Sequence, residues 1–132
     1  MTYKIGEVTK QLGLSADTLR YYEKINLFPK VSRNASGIRE YDDKDISRLK
    51  FIQRAQKMNF SLKEINDLLQ MRENPQKVKN EVRQLTADKL LEVDSHIESL
   101  TTLRNELQLL MNLCNGSEDG CPIIEGLDDM NN

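Results

Sequence analysis

Tryptophan is absent from this 132-residue chain, histidine occurs once, cysteine twice and proline three times. An apolar share of 38% is modest for a globular enzyme. No paired acid and base, nucleophilic triad or phosphate-cradling glycine loop stands in the sequence, which argues against catalysis. No apolar run approaches the roughly 20 residues that span a bilayer. The N-terminus has no signal-peptide core, so the expected location is cytoplasmic, with no membrane partner. Two cysteines without a secretory signal then read as thiols rather than as a structural disulfide. The length allows one compact domain, or one with an extended element, but not two full cores.

A large charge imbalance is also missing, the formal net charge being -2. The small total conceals an asymmetry. Residues 1–72 hold 14 Lys and Arg against 9 Asp and Glu, whereas residues 73–132 hold 5 against 12. A basic first half with an acidic second half fits nucleic-acid binding at one end only.

The stretch SADTLRYYEKINLFP, residues 15–29, organises the basic half. Ser15 is placed to cap a helix, and Asp17 sets a carboxylate near the positive end of its dipole. Leu19 points inward, while Asp17, Thr18, Arg20 and Tyr21 offer polar tips on other faces. Upstream, Ile5, Val8 and Leu12 are spaced as an amphipathic helix of about two turns, and Gly13 supplies a left-handed turn. Helix, short turn and capped second helix form a helix-turn-helix, with a plain helical hairpin as the alternative. Residues 30–42, KVSRNASGIREYD, then suggest a hairpin wing that presents Arg33, Arg39 and the Tyr41 hydroxyl, groups suited to phosphate.

Asp42 or Asp43 can cap the next helix, whose buried stripe is Ile46, Leu49, Ile52, Ala55 and Met58; Lys50, Arg54 and Lys57 lie on other faces. Ser61 and Glu64 form a capping box for a fourth helix with Ile65, Leu68 and Leu69 on its apolar face. The NPQ sequence at 74–76 breaks the pattern. From about Gln76 to Asn112 there is neither proline nor glycine. Leu90, Val93, Ile97, Leu100, Leu107 and Met111 follow alternating steps of three and four, with Thr86 and Arg104 in the remaining seam positions. Such a helix, some 55 Å long at about 1.5 Å per residue, is too long to bury its stripe on a small head and needs a partner helix, so an oligomer is expected. His96 sits beside this seam and reads as a structural residue. In the tail, Cys114 and Cys121 flank a polar loop with Gly116 and Gly120, so both sulfurs can reach one ion; a redox pair is the alternative.

TLRYYEKINLFP, then SGIREY, then RLKFIQRAQKMNFSLKEINDLL, in order and without gaps, resemble the MerR family of transcriptional regulators, in its metal-responsive branch. The resemblance implies a mainly α fold: a winged helix-turn-helix head (1–72), a long antiparallel coiled-coil dimerisation helix (73–113) and a short metal-binding tail loop (114–132). It implies a homodimer on a palindromic promoter operator beside RNA polymerase. The DNA contacts would be Ser15, Asp17, Thr18, Arg20, Tyr21, Arg33, Arg39, Tyr41 and Lys57. Cys114 and Cys121 match the family's metal-binding cysteines, and Lys79 falls where divalent sensors place a further cysteine. Two thiolates suit Cu(I), Ag(I) or Au(I), whereas zinc and cadmium want three or four ligands. The short cysteine spacer resembles cadmium- and lead-responsive members, which leaves a divalent sensor open. A metal-free thiol switch and a metal buffer or scaffold are further alternatives. On the family pattern, metal binding orders the tail, shifts the long helix and distorts the promoter DNA into its active form.

Overall fold

The computed structural model describes residues 1–28 and 31–115. It divides into two compact units, Met1–Thr86 and the residues from Ala87 onward. The elements in chain order are β1 (Thr2–Lys4), α1 (Ile5–Leu12), α2 (Ala16–Lys24), β2 (Ser32–Arg33), β3 (Arg39–Asp42), α3 (Asp43–Lys57), α4 (Leu62–Glu73), a 3-10 turn (Pro75–Lys77) and α5 (Asn80–Asn115). Among the described residues no helix is long and apolar enough to cross a membrane.

Helix ends in the first unit are written in local chemistry. The Ser15 Oγ accepts the Thr18 amide at 3.0 Å, a cap whose removal costs about 1 kcal/mol. Asp42 and Asp45 close a reciprocal capping box on α3, and Ser61 and Glu64 close another on α4. Gly13 ends α1 at φ 70° and donates its amide to the Thr9 carbonyl. Asn26 and Asn59, at φ 59° and 62°, end α2 and α3 the same way. After each asparagine an apolar residue reaches back five positions, Leu27 N–H to the Tyr22 carbonyl and Phe60 N–H to the Ala55 carbonyl. Asparagine tolerates the left-handed region because its short amide can bond locally.

The three strands form one antiparallel sheet in the order β1-β3-β2, with Tyr3 opposite Tyr41 and Arg33 opposite Arg39. The wing is the β2–β3 hairpin. At its tip the Asn34 side chain accepts the amides of Ser36 and Ile38, and Gly37 adopts φ 78°. Strand β1 was not expected. Three residues are too few to show an alternation, and its hydrogen-bond partner lies some forty residues away.

Val8, Leu19, Tyr22, Leu27, Phe28, Val31, Tyr41, Ile46, Leu49, Ile52, Ala55, Ile65 and Leu69 make one core. The stripes expected on α1, α3 and α4 supply most of it. Met58 and Leu68 sit half-buried at its margin. Arg48 clasps α3 to α4: its Nε donates to Glu73 at 2.7 Å and its Nη1 to Asp45 at 3.1 Å. The guanidinium holds the Glu73 carboxyl below its usual range.

The long helix differs from expectation at both ends. Pro75 opens a 3-10 turn and Val78 is extended, so α5 begins at Asn80 rather than near Gln76. It continues past Asn112 to Asn115 and takes in Cys114, because the next helix breaker is Gly116. No residue of α5 is buried within the chain.

Candidate nucleic-acid interface and sensor residues

Two glutamines on α3 set the reading helix. The Gln53 Nε2 donates to the Leu12 carbonyl at 2.6 Å, and the Gln56 Oε1 accepts the Tyr22 hydroxyl at 3.0 Å. They lie three residues apart and so share a helix face. One holds the end of α1; the other holds α2. Leu19 and Tyr22 then turn inward. The opposite side of α2 is solvent-facing and carries Asp17, Arg20, Tyr21 and Lys24, at helical steps of three, four and seven from Asp17. Lys24 joins the expected residues on this face, and its spacing from Asp17 is the signal in the sequence that identifies it.

Of the expected contacts, Ser15 caps the helix and Thr18 donates the capped amide. Their hydroxyls lie 2.8 Å apart, and Thr18 is half-buried. Asp17 is 95% exposed and pairs with Arg20 at 3.1 Å. Tyr21 is 50% exposed. Arg33 is exposed on the wing, its Nη1 donating to the Gly37 carbonyl at 2.8 Å. Lys57 is exposed in the last turn of α3, with Arg54 exposed one turn before it. Arg39 is half-buried, and its Nε donates to the Glu23 Oε2 at 2.9 Å.

Tyr41 is a correction. Its side chain is not on the wing surface but in the core, 1% exposed, with its ring 6.2 Å from that of Phe28. Tyr41 shares with Arg39 the sheet face that packs on the helices, since alternate residues of a strand point the same way. Burial raises the pKa of the phenol, and its hydroxyl has no hydrogen-bond partner among the described residues. Tyr41→Phe should therefore keep operator affinity within about twofold and leave stability unchanged or raise it by about 1 kcal/mol, because the desolvated hydroxyl goes. Thermal melts with operator titrations check this. A tenfold affinity loss at unchanged stability would restore the phosphate role.

The sensor residues divide. Lys79 is exposed just before α5, where its carbonyl accepts the Val82 and Arg83 amides. Its side chain borders a shallow groove with Asp67, Gln70 and Val82. Cys114 is half-buried in the last turn of α5. Cys121 lies outside the described residues.

The model of the MerR HTH regulatory proteins matches residues 3–72, and a MerR DNA-binding model matches residues 46–110. The chain is 38% identical over 126 residues to the HTH-type transcriptional regulator HmrR of Rhizobium leguminosarum bv. viciae, covering 95% of this chain and 97% of that one. It is similar to the crystal structure of HiNmlR, a MerR family regulator lacking the sensor domain and bound to promoter DNA. That likeness has a TM-score of 0.65 and 28% identity, over 86% of each chain. It is also similar to PbrR691 from Ralstonia metallidurans CH34 in complex with lead(II), with a TM-score of 0.56 and 31% identity over 94% of this chain and 98% of that one. With a helix-turn-helix braced on α3, a hairpin wing and both family models matched in order, the chain belongs to the MerR helix-turn-helix family and is a DNA-binding transcriptional regulator, not an enzyme.

Proposed function

We propose that this protein is a thiophilic-metal-responsive promoter regulator that binds a palindromic operator as a homodimer and activates RNA polymerase by distorting the DNA. The observation that carries the reading half is the solvent-facing Asp17, Arg20, Tyr21 and Lys24 side of α2, with Arg33 and Lys57 exposed on neighbouring elements. The helix face supplies base-edge contacts, and the arginine and lysine supply phosphate contacts that set orientation. The dimer rests on α5, where Leu90, Ile97, Leu100, Leu107 and Met111 have half or more of their surface exposed on the expected seam. A second α5 is the partner whose chemistry matches that stripe. The reading head is residues 1–72, the dimerisation segment 73–113, whose helix α5 begins at Asn80, and the sensing tail 114–132.

Cys114 and Cys121 would hold the metal. A two-sulfur donor set fits a soft ion, and two thiolates alone favour Cu(I), Ag(I) or Au(I). Bound there, the ion acts as a crosslink between the end of α5 and the tail. In an antiparallel pair the Lys79 end of one protomer's α5 meets the Cys114 end of the other, where an ammonium offsets the charge of a bis-thiolate complex. One other reading has an observation of its own. The lead(II) complex of the similar PbrR691 structure favours a divalent ion.

The test is anaerobic titration of the fully reduced protein with Cu(I) and with Zn(II), each against a competing chelator. Cu(I) held tightly at one ion per subunit, with zinc readily stripped, is the expected result. Preferential zinc or cadmium binding selects the divalent reading, and no tight binding of any of them selects the thiol switch.

A further inference from the structure

Three arginines of the DNA-reading surface are already held by acceptors of the protein itself: Arg20 by Asp17, Arg33 by the Gly37 carbonyl and Arg39 by Glu23. The first and the last differ in surroundings. Asp17 is almost fully exposed, so water and salt screen its pair, and it yields readily to a competing phosphate. In the other pair the side chains are only 15% exposed on Glu23 and 23% on Arg39. The distance is 2.9 Å, the geometry of a charge-assisted hydrogen bond sheltered from solvent. Glu23 sits in the last turn of α2 and Arg39 opens β3, so this bond ties the reading helix to the wing. Among the described residues it is the one side-chain hydrogen bond between them. The wing needs such a tie, because β2 is two residues long and pairs with β3 only at Ser32 and Arg33.

We propose that Glu23 is a positioning residue for DNA recognition: it grips the Nε of Arg39 so that the other guanidinium N–H groups meet a backbone phosphate at the wing while α2 sits in the groove. A guanidinium carries five N–H donors in a rigid fork, so one edge can serve the carboxylate while the rest serve a phosphate. Glu23 touches no DNA in this account. Its carboxylate even repels the duplex, and it is kept because a loose arginine at the wing end of β3 contributes less than a fixed one. The proposal rests on the DNA-reading assignment of α2 and the wing.

The test is a double-mutant cycle of Glu23→Gln and Arg39→Gln in the full-length protein, read by operator titration over a range of salt and by phosphate-ethylation interference. Each single variant is expected to lose about tenfold in operator affinity, equivalent to about 1.4 kcal/mol. The double variant should lose little more than either single one, because both break one unit. Both should lose interference at the same wing phosphate. Glu23→Asp, which keeps the charge but shortens the reach, should lose affinity like Glu23→Gln; it also serves if the amide variant does not fold. Tighter operator binding by Glu23→Gln than by wild type, or additive losses in the cycle, would overturn the proposal. Wild-type protein without preference for operator over unrelated DNA would instead sink the reading of α2 and the wing, an outcome distinct from either.

Discussion

Leu100→Asp is expected to abolish the dimer and, with it, operator binding at nanomolar protein. Leu100 lies on the central seam of α5, where the chain itself covers only about half of it. Removing a leucine from a packed interface costs about 3 kcal/mol, and an unpaired carboxylate at the same place costs at least as much. Two-fold symmetry places the change twice, so the loss is about 6 kcal/mol, or roughly four orders of magnitude in the dimer dissociation constant. Sedimentation velocity over a dilution series reads the association, and an operator titration reads the consequence. Ser95→Asp, on the side of α5 away from the seam, is the control and should leave both unchanged. A dimer that survives Leu100→Asp would mean that the stripe meets something other than a second α5.

The second large effect is functional rather than structural. Cys114→Ser should reduce metal-induced transcription to the uninduced level while keeping operator affinity within about twofold. A hydroxyl has nearly the size of a thiol but none of its affinity for soft ions, so the crosslink to the tail cannot form. The reading surface belongs to α2, the wing and α3, all within Met1–Thr86, and includes no cysteine. A promoter-reporter assay with and without metal, beside an anaerobic operator titration, separates the two effects. Lost operator binding would show that sensing and reading share groups. Induction that persists would remove Cys114 from the sensor.

Much of the head was legible because its signals are local. Ser15, the Ser61–Glu64 box and Gly13 act within four residues, and the stripes of α3 and α4 repeat at a fixed period. Residue type alone was a poorer guide to direction. Tyr41 and Arg39 are both polar-tipped residues on a wing, yet β3 turns one into the core and the other onto Glu23, because that face of the sheet packs against the helices. The pairing of Thr2–Lys4 with Glu40–Asp42 joins segments far apart in sequence and leaves no local trace. Glu23, Gln53 and Gln56 leave no local trace either. Each looks like an ordinary solvated helix residue until the partner element is in place. On α5 the seam was visible, but the turn before Asn80 was not, since a proline marks a break without fixing how many residues the next helix takes to start.

The two glutamines of α3 have a consequence for fidelity. With α1 held through Gln53 and α2 through Gln56, both from one face of one helix, the reading groups cannot be re-aimed one at a time. A site with a base pair out of place cannot be met halfway by a small swing of α2 unless a hydrogen bond is broken. The head therefore behaves as a gauge rather than a grip: it accepts a sequence whole or leaves the error to be carried by the duplex. Near-cognate promoters should then fail sharply, with few of graded strength.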